Sequence, residues 1–250
     1  MQERNRPLTA RSVLASTLLG AEPPELPVAH LVHMAGLFGI NANRARVALS
    51  RMVASGEATT DGAGRYRLAG HLLARQRRQA VSRAGRRGRW SGGWDLVVLT
   101  AVGDVAEVRG QRRRALAAAR LAELRQGVWT RPDNLVLELD ESLRGDTTCF
   151  AARPAGDPVA MARGLWDLDT WARRARALLG ELRQRRTRGA GDLAPGFVLS
   201  AAVLRHLQSD ALLPDPLLPA DWPGPALRSA YDDFDSRYRS VLAEWGRRAG

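Results

Sequence analysis

Residues 27–53, PVAHLVHMAGLFGINANRARVALSRMV, decide how the rest of the chain is read. Two short apolar-periodic segments are broken at Gly36-Leu37-Phe38-Gly39, and the second opens on Asn41. In it Ala45, Ala48, Leu49, Met52 and Val53 fall at i, i+3, i+4, i+7 and i+8, the spacing of one buried helical stripe. Away from the stripe lie Asn43, Val47 and Ser50, flanked by Arg44, Arg46 and Arg51. Asn41 suits an N-cap because its side-chain oxygen can accept an orphan backbone N–H, and Gly56 suits a C-terminal stop. The next stretch, EATTDGAGRYRLAG, reads as two short strands around Asp61-Gly62-Ala63-Gly64, a β-hairpin wing. Together these predict a winged helix-turn-helix facing DNA.

An arginine-bearing amphipathic helix is common in any arginine-rich chain, where it is a solvated face. Charge distribution separates the two readings. All 38 basic residues are arginine, and the net charge is +12. Residues 1–90 hold 15 Arg against 5 acidic residues, residues 91–165 hold 10 against 10, and residues 166–250 hold 13 against 11. Nearly all the excess therefore sits on the segment with the expected reading helix. Such a face attracts phosphate and releases condensed counterions, the sequence-independent part of DNA affinity. The N-terminal part of the second helix meets base edges in this motif. Asn43, Val47 and Ser50 with Arg44 or Arg46 are expected to read sequence beside Asn41, while Arg51, Arg65 and Arg67 contact phosphate.

At 250 residues, with 45% hydrophobic and 26% charged residues, the composition is that of an ordinary globular protein. A lone cysteine, Cys149, excludes an internal disulfide and a cysteine-rich zinc site and fits a reducing cytoplasm. It reads as a small apolar strand residue. The N-terminus lacks the pattern of a signal peptide, and no apolar run approaches the roughly 20 residues needed to span a bilayer. Cytoplasmic localisation without membrane contact is expected.

No nucleophile elbow, phosphate loop, dinucleotide fingerprint or H-E-x-x-H occurs, so no catalytic residue, metal or cofactor is expected and the chain is read as a non-enzyme. His30 and His33 read as packing or surface residues, Asp104 as a turn or cap, and Asp232, Asp233 and Asp235 as a solvated helix face.

Along the chain, a first helix capped by Thr9 or Ser12 runs to about Leu19, followed by the proline-broken connector AEPPELP. The winged helix is assigned to residues 1–70 and a basic linker, helical at first, to 71–89. A middle unit, 90–163, opens on the strand WDLVVLTAV, Trp94 to Val102. A helix over Arg109 to Leu124, strands at Val128 to Arg131 and Leu135 to Leu139, and a strand at Thr147 to Arg153 follow. A helix from Asp157 completes a ferredoxin-like α+β unit. Residues 164–250 read as helical, with helices at Leu168 to Gln184, Phe197 to Gln208 and Ala226 to Trp245. The proline-punctuated DALLPDPLLPADWPGPA between the last two cannot be helix interior. The fold class is α+β.

The seven tryptophans all lie at or beyond residue 90. Most read as core, and a few as lining for a ligand cleft.

The order of segments resembles the PaaX-like (phenylacetate-degradation repressor) family of transcriptional regulators. The matching stretches are FGINANRARVALSRMVASGEA with GRYRL, W-x-G-G-W-D-L-V-V, GVWTRPDNL, LWDLDTWARRARALL and LLPDPLLPADWPG. The resemblance implies a winged helix, a middle domain like the small ferredoxin-fold CRISPR-associated nucleases, and a helical C-terminal domain. It also implies a homodimeric repressor on an inverted-repeat operator in double-stranded DNA, relieved by an aryl-acyl-CoA effector of an aromatic catabolic pathway. For that effector, Trp94, Trp129 and Trp171 are expected to line an apolar cleft and Arg131 to meet CoA phosphate. Two alternatives stay open: a nucleic-acid-processing enzyme acting through the nuclease-like middle domain, and a constitutive DNA-binding protein without effector.

Overall fold

The computed structural model describes residues 9–21, 23–85, 89–100, 105–186 and 188–248, with no side-chain description at 142 and 246–248. The expectations placed on Asp104, on the strand end at Val102 and on residues 86–88 of the basic stretch lie outside the described residues. Those residues divide into two compact units, which are not consecutive in sequence. The first gathers Met1–Arg83, Leu178–Gln208 and Ser229–Gly250, and the second Ala84–Ala177 and Ser209–Arg228.

In the first unit the chain runs through α1 (Ala10–Leu19), β1 (Glu25–Pro27), α2 (Val28–Gly36), α3 (Ala42–Ala54), β2 (Ala58–Thr60), β3 (Arg65–Leu68) and α4 (Gly70–Ala84). Thr9 caps α1, its side chain accepting from the Ser12 N–H at 3.1 Å. The strands form an antiparallel sheet in the order β1-β3-β2, the element order of a winged helix-turn-helix. β1 falls inside the proline-broken connector, where the sequence predicts no element. Prolines do not prevent it, because an edge strand needs ladder hydrogen bonds on one side only. Leu14, Leu18, Leu31, Ala35, Ala45, Leu49 and Leu68 are buried in one core beneath these elements. α4 occupies most of the stretch expected as a linker, and buries Leu72 in that core.

Three later segments complete the unit: the C-terminal turns of α8 (Leu168–Gln184), α9 (Leu193–Gln208) and most of α10 (Gly224–Arg248). α9 and α10 approach closely at Gly196, where an added Cβ would lie 2.8 Å from the Tyr238 ring.

The second unit holds a four-stranded antiparallel sheet of β4 (Trp94–Leu99), β5 (Ala122–Arg125), β6 (Val128–Pro132) and β7 (Thr147–Ala152), ordered β5-β6-β4-β7. With α5 (Ala106–Ala118) between β4 and β5, this is the strand order of a ferredoxin-like unit. The second crossover helix is cut to one turn, α6 (Glu141–Arg144). α7 (Pro158–Leu165) follows β7.

Two expectations are corrected here. The helix expected through Leu124 ends at Ala118, because Arg120 takes a left-handed φ of 64° and Leu121 turns back to donate to the Leu116 carbonyl at 3.2 Å. Residues after it enter β5. Leu135 to Leu139 form no strand. Their alternation is real, with Leu137 and Leu139 packed on the core and Val136 85% exposed, yet the segment pairs with no strand of the sheet. The pattern buries a face without a ladder.

Candidate nucleic-acid interface

α3 is built as its periodicity requires. Ala45, Leu49 and Met52 are buried, with Ala48 and Val53 packed against the same core. The side-chain oxygen of Asn41, an exposed residue, accepts the Arg44 N–H at 2.9 Å and so serves as the cap. Asn43, Arg44, Arg46, Val47, Ser50 and Arg51 are all exposed. Among the described residues, Arg44, Arg46 and Arg51 have no carboxylate partner. Val47, 43% exposed among these arginines, is an apolar group set in water beside cations. A thymine methyl in the major groove offers such a group a contact.

The wing differs from the sequence expectation in its electrostatics. Its turn is held by Asp61, whose Oδ1 accepts from Ala63 and Arg65 backbone N–H groups at 2.8 and 3.0 Å. Arg65 and Arg67 both project from β3 onto Glu25 of β1, with Nε–O distances of 2.6 and 2.8 Å. Hydrogen bonds from Arg65 and then Arg67 hold the Glu25 carboxyl below the usual carboxylate range. The wing guanidiniums are thus exposed yet already paired. Glu25 carries no sequence signal for this role, because only strand pairing brings residue 25 beside 65 and 67.

A second ion pair braces the base of the motif. Glu57, nearly buried between α3 and β2, accepts from Arg11 Nε at 2.7 Å, and His71 Nε2 lies 3.5 Å away. The Arg11 hydrogen bond is the main cause of a lowered Glu57 pKa.

The four expected effector residues are all buried in the second unit and are not brought together. Trp94 packs with Ala162, Leu168, Leu213 and Leu217, near the Trp166 ring. Trp129 belongs to a different cluster with Val97 and Leu116, and Arg113 lies over its ring at 5.6 Å. Trp171 stacks on Trp222 with centroids 4.5 Å apart. Arg131 is 4% exposed, and its Nη1 and Nε donate to the Ala119 and Pro132 carbonyls at 3.2 and 3.1 Å. Burial pushes its guanidinium pKa down, against the opposing fields of Asp95 and Asp133. A phosphate could reach Arg131 only by opening this packing.

The remaining residues weighed from sequence find structural places. His33 stacks on Trp245 at 3.6 Å, and Arg83 bridges Asp232 and Asp235 at 2.7 and 2.9 Å. Cys149 lies exposed on β7. No group of His, Cys, Asp and Glu that could hold a metal occurs among the described residues, nor does a helix long and apolar enough to cross a membrane.

The fold and the arginine-lined α3 define a mixed α+β protein carrying a helix-turn-helix. Residues 9–72 match the model of the PaaX-like protein family, and residues 166–246 match that of the PaaX-like protein C-terminal domain. A solved structure described as an uncharacterized protein, Rv0674, from Mycobacterium tuberculosis is 40% identical, with a TM-score of 0.73. The match covers 95% of this chain and 98% of that one. No curated protein matches. The chain belongs to the PaaX-like family, whose members are generally transcriptional regulators, and family membership implies DNA binding.

Proposed function

We propose that this chain is a sequence-specific transcriptional repressor that binds an inverted-repeat operator as a homodimer in the cytoplasm and is released by an aryl-acyl-CoA-type effector. The observation that carries the DNA-reading part is the solvent face of α3. Asn43, Arg44, Arg46, Val47 and Ser50 stand together there, beside no carboxylate partner for the arginines among the described residues. Asn suits adenine and Arg suits guanine in the major groove, each good bidentate pair discriminating by about 1–3 kcal/mol. In this reading residues 1–70 form the DNA-binding module. Dimerisation is included because one helix-turn-helix reads a short half-site, and discrimination against genomic competitors favours two. The effector part rests on the family resemblance.

Selection of binding sites from random duplex DNA tests the reading. Asn43→Ala and Arg46→Ala are expected to relax preference at separate positions of each half-site. An unchanged selection profile for both variants rejects α3 as the reading helix. Cleavage of plasmid or RNA in the presence of divalent metal would instead favour a nucleic-acid-processing enzyme.

A further inference from the structure

The unit that carries α3 also contains a cavity of about 710 Å³, within the roughly 300–1,000 Å³ of small-molecule sites. Its walls come from α1, α2, β1, α4, α9 and α10. Met34, Phe197, Leu204, Tyr231, Tyr238 and Leu242 supply apolar and aromatic surface. Both tyrosine hydroxyls are engaged. Tyr238 donates to the Leu193 carbonyl at 3.1 Å, and the Tyr231 oxygen lies 3.0 Å from Ser200 Oγ. Burial pushes Tyr231 up to about 12, so it stays neutral.

The charges of the lining are unbalanced. Its two carboxylates, Glu25 and Asp235, are occupied by Arg65 with Arg67 and by Arg83 with Arg239. Arg75 of α4 is half-buried in the wall and has no hydrogen-bond or ion-pair partner among the described residues. Burial, then the like charges of Arg205, Arg78 and Arg11, lower its pKa. A partly desolvated guanidinium among cations is costly, and an anionic oxygen pair relieves that cost in bidentate geometry.

We propose that this cavity binds a small organic anion with an apolar body, placing its carboxylate or phosphate oxygens on Arg75, and that it is the effector site of the regulator. The effector role rests on the function proposed above. The elements lining the cavity connect it to DNA binding. Ser16, Thr17, His30 and Met34 of α1 and α2 line it, and these two helices share one core with α3. On the far wall, Phe197 of α9 meets Phe38, in the turn between α2 and α3, at 5.0 Å. A ligand that changes the spacing of α1 and α2 from α9 thereby changes the support of the reading helix.

The test uses full-length protein and two fluorescent probes of similar shape, anilinonaphthalene sulfonate and uncharged N-phenylnaphthylamine. Saturable binding of the sulfonate is expected, weakened about tenfold or more by Arg75→Met, a loss in line with a charge-assisted contact. Binding of the neutral probe should be unchanged by Arg75→Met, and both probes should be excluded by Ala201→Trp, which fills the cavity. Circular dichroism melts verify that each variant is folded. Equal sulfonate affinity in wild type and Arg75→Met overturns the site. Displacement by phenylacetate, by phenylacetyl-CoA and by CoA alone tells a carboxylate ligand from a phosphate one. If the thioester lowers operator affinity identically in wild type and Arg75→Met, the site falls and the ligand-responsive reading stands. Arg75-dependent binding of sulfonate and thioester with operator affinity flat leaves the anion site standing but overturns its effector role, and with it the ligand-responsive reading.

Discussion

Arg51 and Arg46 lie on the same helix, yet they are expected to fail differently when removed. In the function proposed above, Arg46 belongs to the face that would meet base edges, so its loss should alter preference, while Arg51, in the last turn of α3, would meet the DNA phosphates. Arg51→Ala should weaken all duplexes alike and reduce the slope of log affinity against log salt by about one, measured by fluorescence anisotropy over a salt series. Gly93 shows a close approach of a different kind. A Cβ there would lie 2.1 Å from Asp133 Oδ2, while the Asp133 N–H donates to the Gly93 carbonyl at 3.1 Å. Asp133 is exposed, so Gly93→Ala should turn its carboxylate aside into solvent and change denaturant unfolding by no more than about 0.5 kcal/mol. Of the paired glycines of W-x-G-G-W-D, Gly92 takes a left-handed φ of 91° and Gly93 lies against Asp133, and no local periodicity announces either.

At the scale of elements, the wing and the base of the motif respond to charge in opposite ways. Glu25 holds both wing arginines, so Glu25→Gln should free two guanidiniums and raise affinity for every duplex at low salt, with a steeper salt dependence. Unchanged affinity would mean that the wing does not approach phosphate. Glu57 ties α1 to the end of α3 through Arg11. Its pKa is lowered in the fold, so the stabilisation is complete above the ordinary carboxylate value near 4.5 and fades as pH falls through the lower folded value. Glu57→Gln should lose about 1 kcal/mol at neutral pH, discounted because Arg11 is half exposed, and the difference should shrink in acid. Chemical unfolding at several pH values measures it. Stripe spacing made α3 legible, since the same five positions meet the core in the fold. The alternation at Leu135 to Leu139 misled because period two reports burial of a face, while a strand also needs its backbone paired with a neighbour, and the spacing of side chains does not report that pairing.

For the whole molecule, the first compact unit is assembled from three stretches of sequence, and this changes what a truncation does. Residues 1–89 alone lack α9 and the Trp245 end of α10, so Phe38 and His33 lose their aromatic partners Phe197 and Trp245. Such a fragment should melt at lower temperature than the full chain and bind hydrophobic dyes, measured by thermal denaturation with dye fluorescence. Among the described residues Trp245 is the one tryptophan of this unit. Its emission, isolated by replacing the others with phenylalanine, should shift when the cavity is filled. By itself the sequence determined the α+β class, the helix-turn-helix and its exposed face, because these follow from short-range periodicity, capping and turn chemistry that each segment carries locally. Only the tertiary structure decided that Glu25 masks the wing arginines, that the expected effector tryptophans are core, and that Arg75 lines a cavity made by helices distant in sequence. Those outcomes depend on which burial and charge partners the chain brings together from segments well separated in sequence, and no local pattern encodes such partners.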